Sequence, residues 1–185
     1  MTIHTMDLWL APTSQTRIIA AMIHIREATA QDWPGIWDIF SAVVKRGDTY
    51  AYAPDTSEED AKQIWMAAPK ATYVAVDGDD VVGTYYIKTN QVGQGSHVCN
   101  AGFMVHEDQR GRGLGRSLGV HALDQARALG YRAMQFNFVV ARNTSAIKLW
   151  ESLGFETIGR LPQAFKGRDG FQDVLVMYQV LGEAS

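Results

Sequence analysis

The chain has 185 residues, 46% of them apolar, which suits one domain with a sizeable core. A net charge of -3 excludes the broad basic field that general nucleic-acid or membrane-surface binding requires. The single cysteine, Cys99, excludes an internal disulfide and fits a reducing, cytoplasmic setting, and no apolar run reaches the length of a membrane span.

Residues 1–22 mix Thr, Ser, Gln and Pro12 with scattered apolar positions and no period. They are expected to form a loosely attached extension, with Met22 an alternative initiator, and residues 23–185 a single domain; nothing at the start reads as a signal peptide. Ile23-His24-Ile25-Arg26 alternates like a first strand. Thr29 and Asp32 have capping-box spacing, and Trp33, Ile36, Trp37, Phe40 and Val44 then repeat at helical spacing, predicting a first helix with an aromatic face. Residues 45–54, with Gly47, Asp48, Tyr50, Tyr52 and Pro54, read as a loop where substrate contacts are common, so Tyr50 is a candidate substrate-binding residue. A surface loop with packed aromatics is the competing reading. Ser57 and Asp60 form another capping box before a short helix that stops by Pro69.

Residues 72–76 and 81–87 are strand-like, and Asp77-Gly78 between them signals a hairpin. A third strand over 97–105 leads into Val105-His106-Glu107-Asp108-Gln109-Arg110-Gly111-Arg112-Gly113-Leu114-Gly115-Arg116, followed by a helix over 116–129 that Gly130 stops. A strand over 133–140 and a helix opening at Asn143 or Thr144 and closing at Gly154 come next. Two strands, 155–160 and 174–180, finish the chain. This order predicts an α/β (α+β) domain: a mixed, mostly antiparallel sheet of six to seven strands with helices on both faces.

The glycine-rich stretch carries the chemistry. Three glycines at alternate positions leave main-chain amides bare, and a helix opening behind them aims its positive dipole end at the same point, an arrangement for phosphate or diphosphate. A P-loop would need Gly-Lys-Ser/Thr where Gly115-Arg116-Ser117 stands. A dinucleotide fingerprint would need glycine where Leu118 stands and a carboxylate near Gln135. What fits is Arg-x-x-Gly-x-Gly, read as Arg110, Gly113 and Gly115, and this resembles the coenzyme A loop of the GCN5-related N-acetyltransferases. Asn143, seven residues before Trp150, and Leu153-Gly154-Phe155 resemble the same family, over residues 23–181.

The resemblance implies the following. Coenzyme A lies where the fourth strand bulges and splays from the fifth. Phe103, Met104 and Val105 present backbone groups to pantetheine, with an amide near Met104 facing the thioester oxygen. Arg110, Gly111, Arg112, Gly113, Leu114, Gly115 and Arg116 hold the diphosphate. Asn143 bonds the pantetheine arm, with a plain helix cap as the competing reading. One donor aimed at a developing oxyanion contributes roughly 2.7 to 4 kcal/mol, so the backbone can supply much of the catalysis. Many relatives carry tyrosine where Trp150 stands and use it to protonate the leaving thiolate; indole cannot do this, so Trp150 is read as a packing residue.

Asn100 and Asn137 each sit in an apolar strand context, and a buried amide must be paired by structure or ligand. Together they are similar to the asparagines lining the substrate pocket of acetyltransferases for proline analogues such as azetidine-2-carboxylate, with phosphinothricin-type enzymes as neighbours in pattern. They are the candidate catalytic and substrate-polarising residues. Neither accepts a proton, so the general base falls to His97, Glu107 or water. No histidine has ligand spacing, and no metal is expected. A covalent route through Cys99 would need a nearby base, and direct amine attack on acetyl-CoA is the expected path.

The expected protein is an acetyl-CoA-dependent N-acetyltransferase for the amine of a small molecule, an amino acid or its analogue. The alternatives are protein N-terminal or lysine acetylation and a non-catalytic acyl-CoA-binding module. The resemblance also allows a homodimer.

Overall fold

The computed structural model describes residues 23–182; the extension expected over 1–22 lies outside the described residues. In chain order the elements are β1 (His24–Glu27), α1 (Trp33–Arg46), α2 (Glu58–Lys62), β2 (Ala71–Asp77), β3 (Asp80–Thr89), β4 (Val98–Val105), α3 (Leu114–Ala128), β5 (Ala133–Val140), α4 (Thr144–Ser152), β6 (Glu156–Gly167) and β7 (Gly170–Val180). The strands form one seven-stranded sheet in the order β1-β2-β3-β4-β5-β7-β6, antiparallel except for β4 beside β5. This is the mixed sheet that the alternation of strand and helix patterns predicts.

Two-residue alternation divides the core between the sheet's faces. Val74, Tyr86 and Met104 pack under α1 and α2 with Ile36, Phe40 and Trp65, while Tyr73, Tyr85, Ile87 and Cys99 pack under α3 with Leu118 and Ala122. Trp65 is fully buried in the π-helical turn that continues α2; its Nε1 donates to Thr84 Oγ1 at 3.0 Å, and Thr84 Oγ1 donates to Tyr73 O at 2.9 Å. Every polar atom in this buried chain is therefore used. At the entry to α1, the Asp32 carboxylate accepts from Thr29 N and Oγ1 at 2.7 and 2.9 Å and from Arg26 at 2.7 and 2.8 Å.

Several boundaries differ from expectation. β4 begins at Val98 and leaves His97 outside, and α3 opens at Leu114 because Gly113 adopts the left-handed cap conformation, φ +84°. The last hairpin is much longer than expected: β6 and β7 run to a tight Gly167–Gly170 end, although Pro162 and Gln163 (φ +53°) break their register between Leu161 and Phe165. Phe165 re-anchors the strand against Val140 and Val174, which a reading based on alternation could not foresee.

The opening between β4 and β5 follows from their pairing. They share only the register pairs Val98↔Ala133 and Cys99↔Met134, then part. β4 keeps unbroken register with β3 from Cys99 to Val105, so the expected bulge in β4 is absent; the irregularity lies in β5, between Phe136 and Val139. Trp150 of α4 acts as the wedge, its ring 4.8 Å from those of Phe103 on β4 and Phe136 on β5. Its six-membered ring also reaches α3 at Gly119, where a β-carbon would come within 3.1 Å. The packing role expected of Trp150 is thus a definite one: it holds two strands apart.

Candidate functional site: a cleft where two strands part

A cleft of about 800 Å³ opens at this splay and is walled by β4, β5, the 46–52 loop, the glycine bend and the start of α4. At one end the chain makes a turn over Glu107–Gln109, extends at Arg110, and then takes positive φ at Gly111 (+73°) and Gly113 (+84°) before α3 begins. The first bonded amides of α3 are those of Arg116 and Ser117, both to Gly113 O, so the amides of Gly111 through Gly115 have no partner among the described residues. A β-carbon built at Gly111 or Gly113 meets nothing within 4 Å. The bend is therefore an open cradle of donors at a helix N-terminus, which fits a diphosphate.

Gln109, Arg110, Gly111, Gly113, Leu114 and Gly115 line the cleft. The side chains of Arg112 and Arg116, expected beside them, turn away from it. Arg112 Nη1 donates to Gln109 Oε1 at 2.8 Å and Arg116 Nη1 to Ser152 Oγ at 2.9 Å, so both brace the loop and α4 from outside.

Strand alternation settles which β4 groups face the opening. His106 N donates to Val82 O, and Asn90 N to Val98 O, so the even-numbered residues of β4 turn their main-chain groups to β3. Met104 is one of these, paired with Thr84 and 2% exposed. The amide expected to point at a thioester thus belongs to Phe103 or Val105 and not to Met104. At Phe103 it is already engaged: Tyr50 Oη accepts from Phe103 N at 2.8 Å and donates to Phe103 O at 2.7 Å. Any ligand reaching that amide must share it with this phenol or displace it. Burial, then the neighbouring Tyr52 phenol, pushes the Tyr50 hydroxyl above its usual range, so it stays protonated.

Asn143 lines the cleft and caps α4, its Oδ1 accepting from Ala146 N at 3.3 Å and from Ser145 Oγ at 3.2 Å. The two readings of this residue are compatible, since the cap uses only the oxygen and leaves the amide nitrogen for the cleft. Asn100, 8% exposed, donates Nδ2 to Gln135 O at 2.8 Å across the splay. The exposed Asn137 accepts from Gln135 Nε2 and donates to Asn90 Oδ1, both at 2.7 Å, which fixes its amide while one N–H and one lone pair remain. Both asparagines line the cleft, and so does Tyr50.

The proposed bases fare differently. His97 and Glu107 are exposed and outside the cleft. The described cleft carboxylates are Asp48 and Asp169, which lie 3.5 Å from Arg46 Nε and 3.2 Å from Arg142 Nη1. Cys99 is fully buried, and burial pushes its thiol up to about 12, so a thiolate nucleophile is not available there. Sequence reasoning missed Arg46, Lys88, Arg142 and Asp169, all cleft residues; their signal is positional, and only the strand pairing and the β6–β7 hairpin bring them in.

A strand-splayed α/β domain with an amide cradle at the start of its central helix defines a coenzyme-binding acyltransferase architecture. The chain belongs to the acetyltransferase (GNAT) family, whose model matches residues 24–155. It is 32% identical over 149 residues to the L-methionine sulfoximine/L-methionine sulfone acetyltransferase of Pseudomonas paraeruginosa, covering 75% of this chain and 83% of that protein. It is also 37% identical over 112 residues to N-acetyltransferase aca1 of Schizosaccharomyces pombe, covering 59% of this chain and 54% of that protein, so it spans about half that relative's length. A GCN5-related N-acetyltransferase structure from Kribbella flavida superposes with a TM-score of 0.81 and 44% identity, over 85% of this chain and 97% of that one.

Proposed function

We propose that the protein transfers the acetyl group of acetyl-CoA to the amine of a small molecule, an amino acid or amino-acid analogue, by direct attack in a ternary complex. The observation that carries this reading is the joining of two subsites by one cleft: a glycine-lined amide cradle at one end and a face bearing Asn100 and Asn137 at the other. The name of the Pseudomonas paraeruginosa relative supports the acceptor class.

Acetyl-CoA supplies the activated thioester. The amides of residues 111–115 grip its diphosphate, and the Asn143 amide nitrogen meets the arm. Phe103, held by Tyr50, and Val105 present main-chain groups on the open side of β4. A preorganised main-chain donor there opposes developing negative charge without reorganising. Asn100 Oδ1 and Asn137 orient the acceptor. The amine nitrogen bonds the acetyl carbon as the carbon–sulfur bond breaks, the amine proton leaves through water, and the departing coenzyme A thiolate takes its proton from water in turn. No enzyme thiol takes part, because the neutral, buried Cys99 cannot serve. A cytoplasmic detoxification of amino-acid analogues is the role that fits, acting on neither nucleic acid nor membrane.

Thiol release from acetyl-CoA, followed across amino acids, proline analogues, polyamines, antibiotics and peptides with free N-termini, tests the reading. Turnover is expected with amino acids or their analogues. Activity confined to peptides would move the protein to protein acetylation, and acetyl-CoA binding without release for any amine would make it a binding module.

A further inference from the structure

Lys88 sits near the end of β3, half-buried on the wall of the cleft. It has no carboxylate within ion-pair distance among the described residues; its Nζ lies instead 5.3 Å from the centre of the Tyr86 ring. With no carboxylate against it and a place on the cleft wall, this ammonium is left for an anion that a ligand brings.

Its direction is fixed by three contacts. Lys88 pairs with Asn100 across β3 and β4, so the two side chains share a face. The lean over Tyr86 carries the ammonium along β3 toward the acyl end of the cleft. Tyr86 in turn lies against Gly102, where a β-carbon would come within 2.6 Å of the ring, and Gly102 adjoins Phe103. Lys88 and Asn100 thus share one face of the cleft wall, and the ammonium lies over the Tyr86 ring, two positions along β3 and opposite Gly102. Arg46, a neighbouring cation of the cleft, has Asp48 at 3.5 Å from its Nε but no hydrogen bond there.

We infer that Lys88 is the specificity residue that binds a carboxylate of the acceptor, restricting the site to amines that carry a carboxylate a few bonds from the reacting nitrogen. This rests on the acetyltransfer reading above and names the acceptor class of the same site. A small α-amino or imino acid matches this layout: its carboxylate meets Lys88, and its nitrogen is left near Phe103 and Asn137. A long polyamine or an uncharged amine leaves the ammonium unanswered.

The test compares an acid with its amide. Steady-state thiol release is measured for L-methionine sulfone and L-methionine sulfone amide, with wild type, Lys88→Met and Lys88→Arg, and acetyl-CoA affinity is measured by calorimetry in all three. Wild type is expected to prefer the acid by at least about tenfold in kcat/KM. Lys88→Met should erase the preference by raising KM for the acid roughly tenfold to a hundredfold, the loss expected for one hydrogen bond to a charged group. Lys88→Arg should keep most of the preference, and acetyl-CoA affinity should be the same in all three. An acid-to-amide ratio unchanged in Lys88→Met, or a wild type that acetylates only amines without a carboxylate, overturns the role of Lys88 and leaves acetyltransfer standing. Acetyl-CoA binding with no thiol release for any amine removes both.

Discussion

Gly113 and Gly78 make a matched pair for testing the amide cradle. Both have positive φ, +84° and +65°, and at both a β-carbon would meet nothing within 4 Å. Gly78 lies in the β2–β3 turn and takes no part in the cleft, whereas Gly113 lines it and caps α3. Alanine at either position carries about 1–2 kcal/mol of left-handed backbone strain, so both variants should melt lower by similar amounts, about 2–4 °C per kcal/mol for a domain of this size. Only at Gly113 does the new methyl enter the ligand's space. An oxygen accepting from a loop amide sits about 2.9 Å from the nitrogen, and a carbon needs about 3.5 Å of clearance. Losing one charge-assisted hydrogen bond of about 1.5–3 kcal/mol weakens acetyl-CoA binding about tenfold to a hundredfold. Calorimetric titration of acetyl-CoA into Gly113→Ala and Gly78→Ala reads the difference directly. Equal affinities in the two variants would refute the cradle.

Asn137→Ala should lower kcat by about 100-fold while acetyl-CoA affinity stays near wild type, as expected for a group that acts on the acceptor; unchanged turnover removes Asn137 from the mechanism. Cys99→Ala should retain most turnover, because the thiol is buried and neutral; a folded variant with none would restore the covalent route. Arg26 first, then the Thr29 bonds, hold Asp32 down to about 2, below its ordinary 3.8. A lowered folded-state value means that the added stability is full above the ordinary value and is lost as pH falls through about 2. Wild type should therefore lose melting temperature between pH 4 and 2 more steeply than Asp32→Asn, and parallel curves would contradict this.

Much of the fold was legible because its signals are local. The capping residues Thr29, Ser57 and Asn143 and the periods of α1, α3 and α4 are contained within a few turns of chain, and the element order follows from them. The bend at Gly111 and Gly113 was legible for the same reason, since alternate glycines before a helix have few other uses. What escaped depends on register. The turn of Met104 toward β3 is decided by pairing with Thr84, and Tyr50 meets Phe103 from 53 positions away. The exclusion of Arg112 and Arg116 from the cleft depends on their reaching Gln109 and Ser152. Lys88 lies just past the strand expected over 81–87, and only its pairing with Asn100 brings it to the cleft. The absent bulge in β4 and the irregular β5 are likewise matters of register, and the Trp150 ring that packs against both strands comes from a helix later in the chain.

The central claim is that bare main-chain amides at the start of α3 hold the diphosphate of acetyl-CoA while its thioester lies between β4 and β5. A crystal structure of the complex decides it. The account predicts diphosphate oxygens at hydrogen-bond distance, about 2.7–3.2 Å, from amides of residues 111–115, with the acyl end beside Phe103. Diphosphate bound elsewhere with those amides unengaged, or a thioester outside the gap between the two strands, would contradict it.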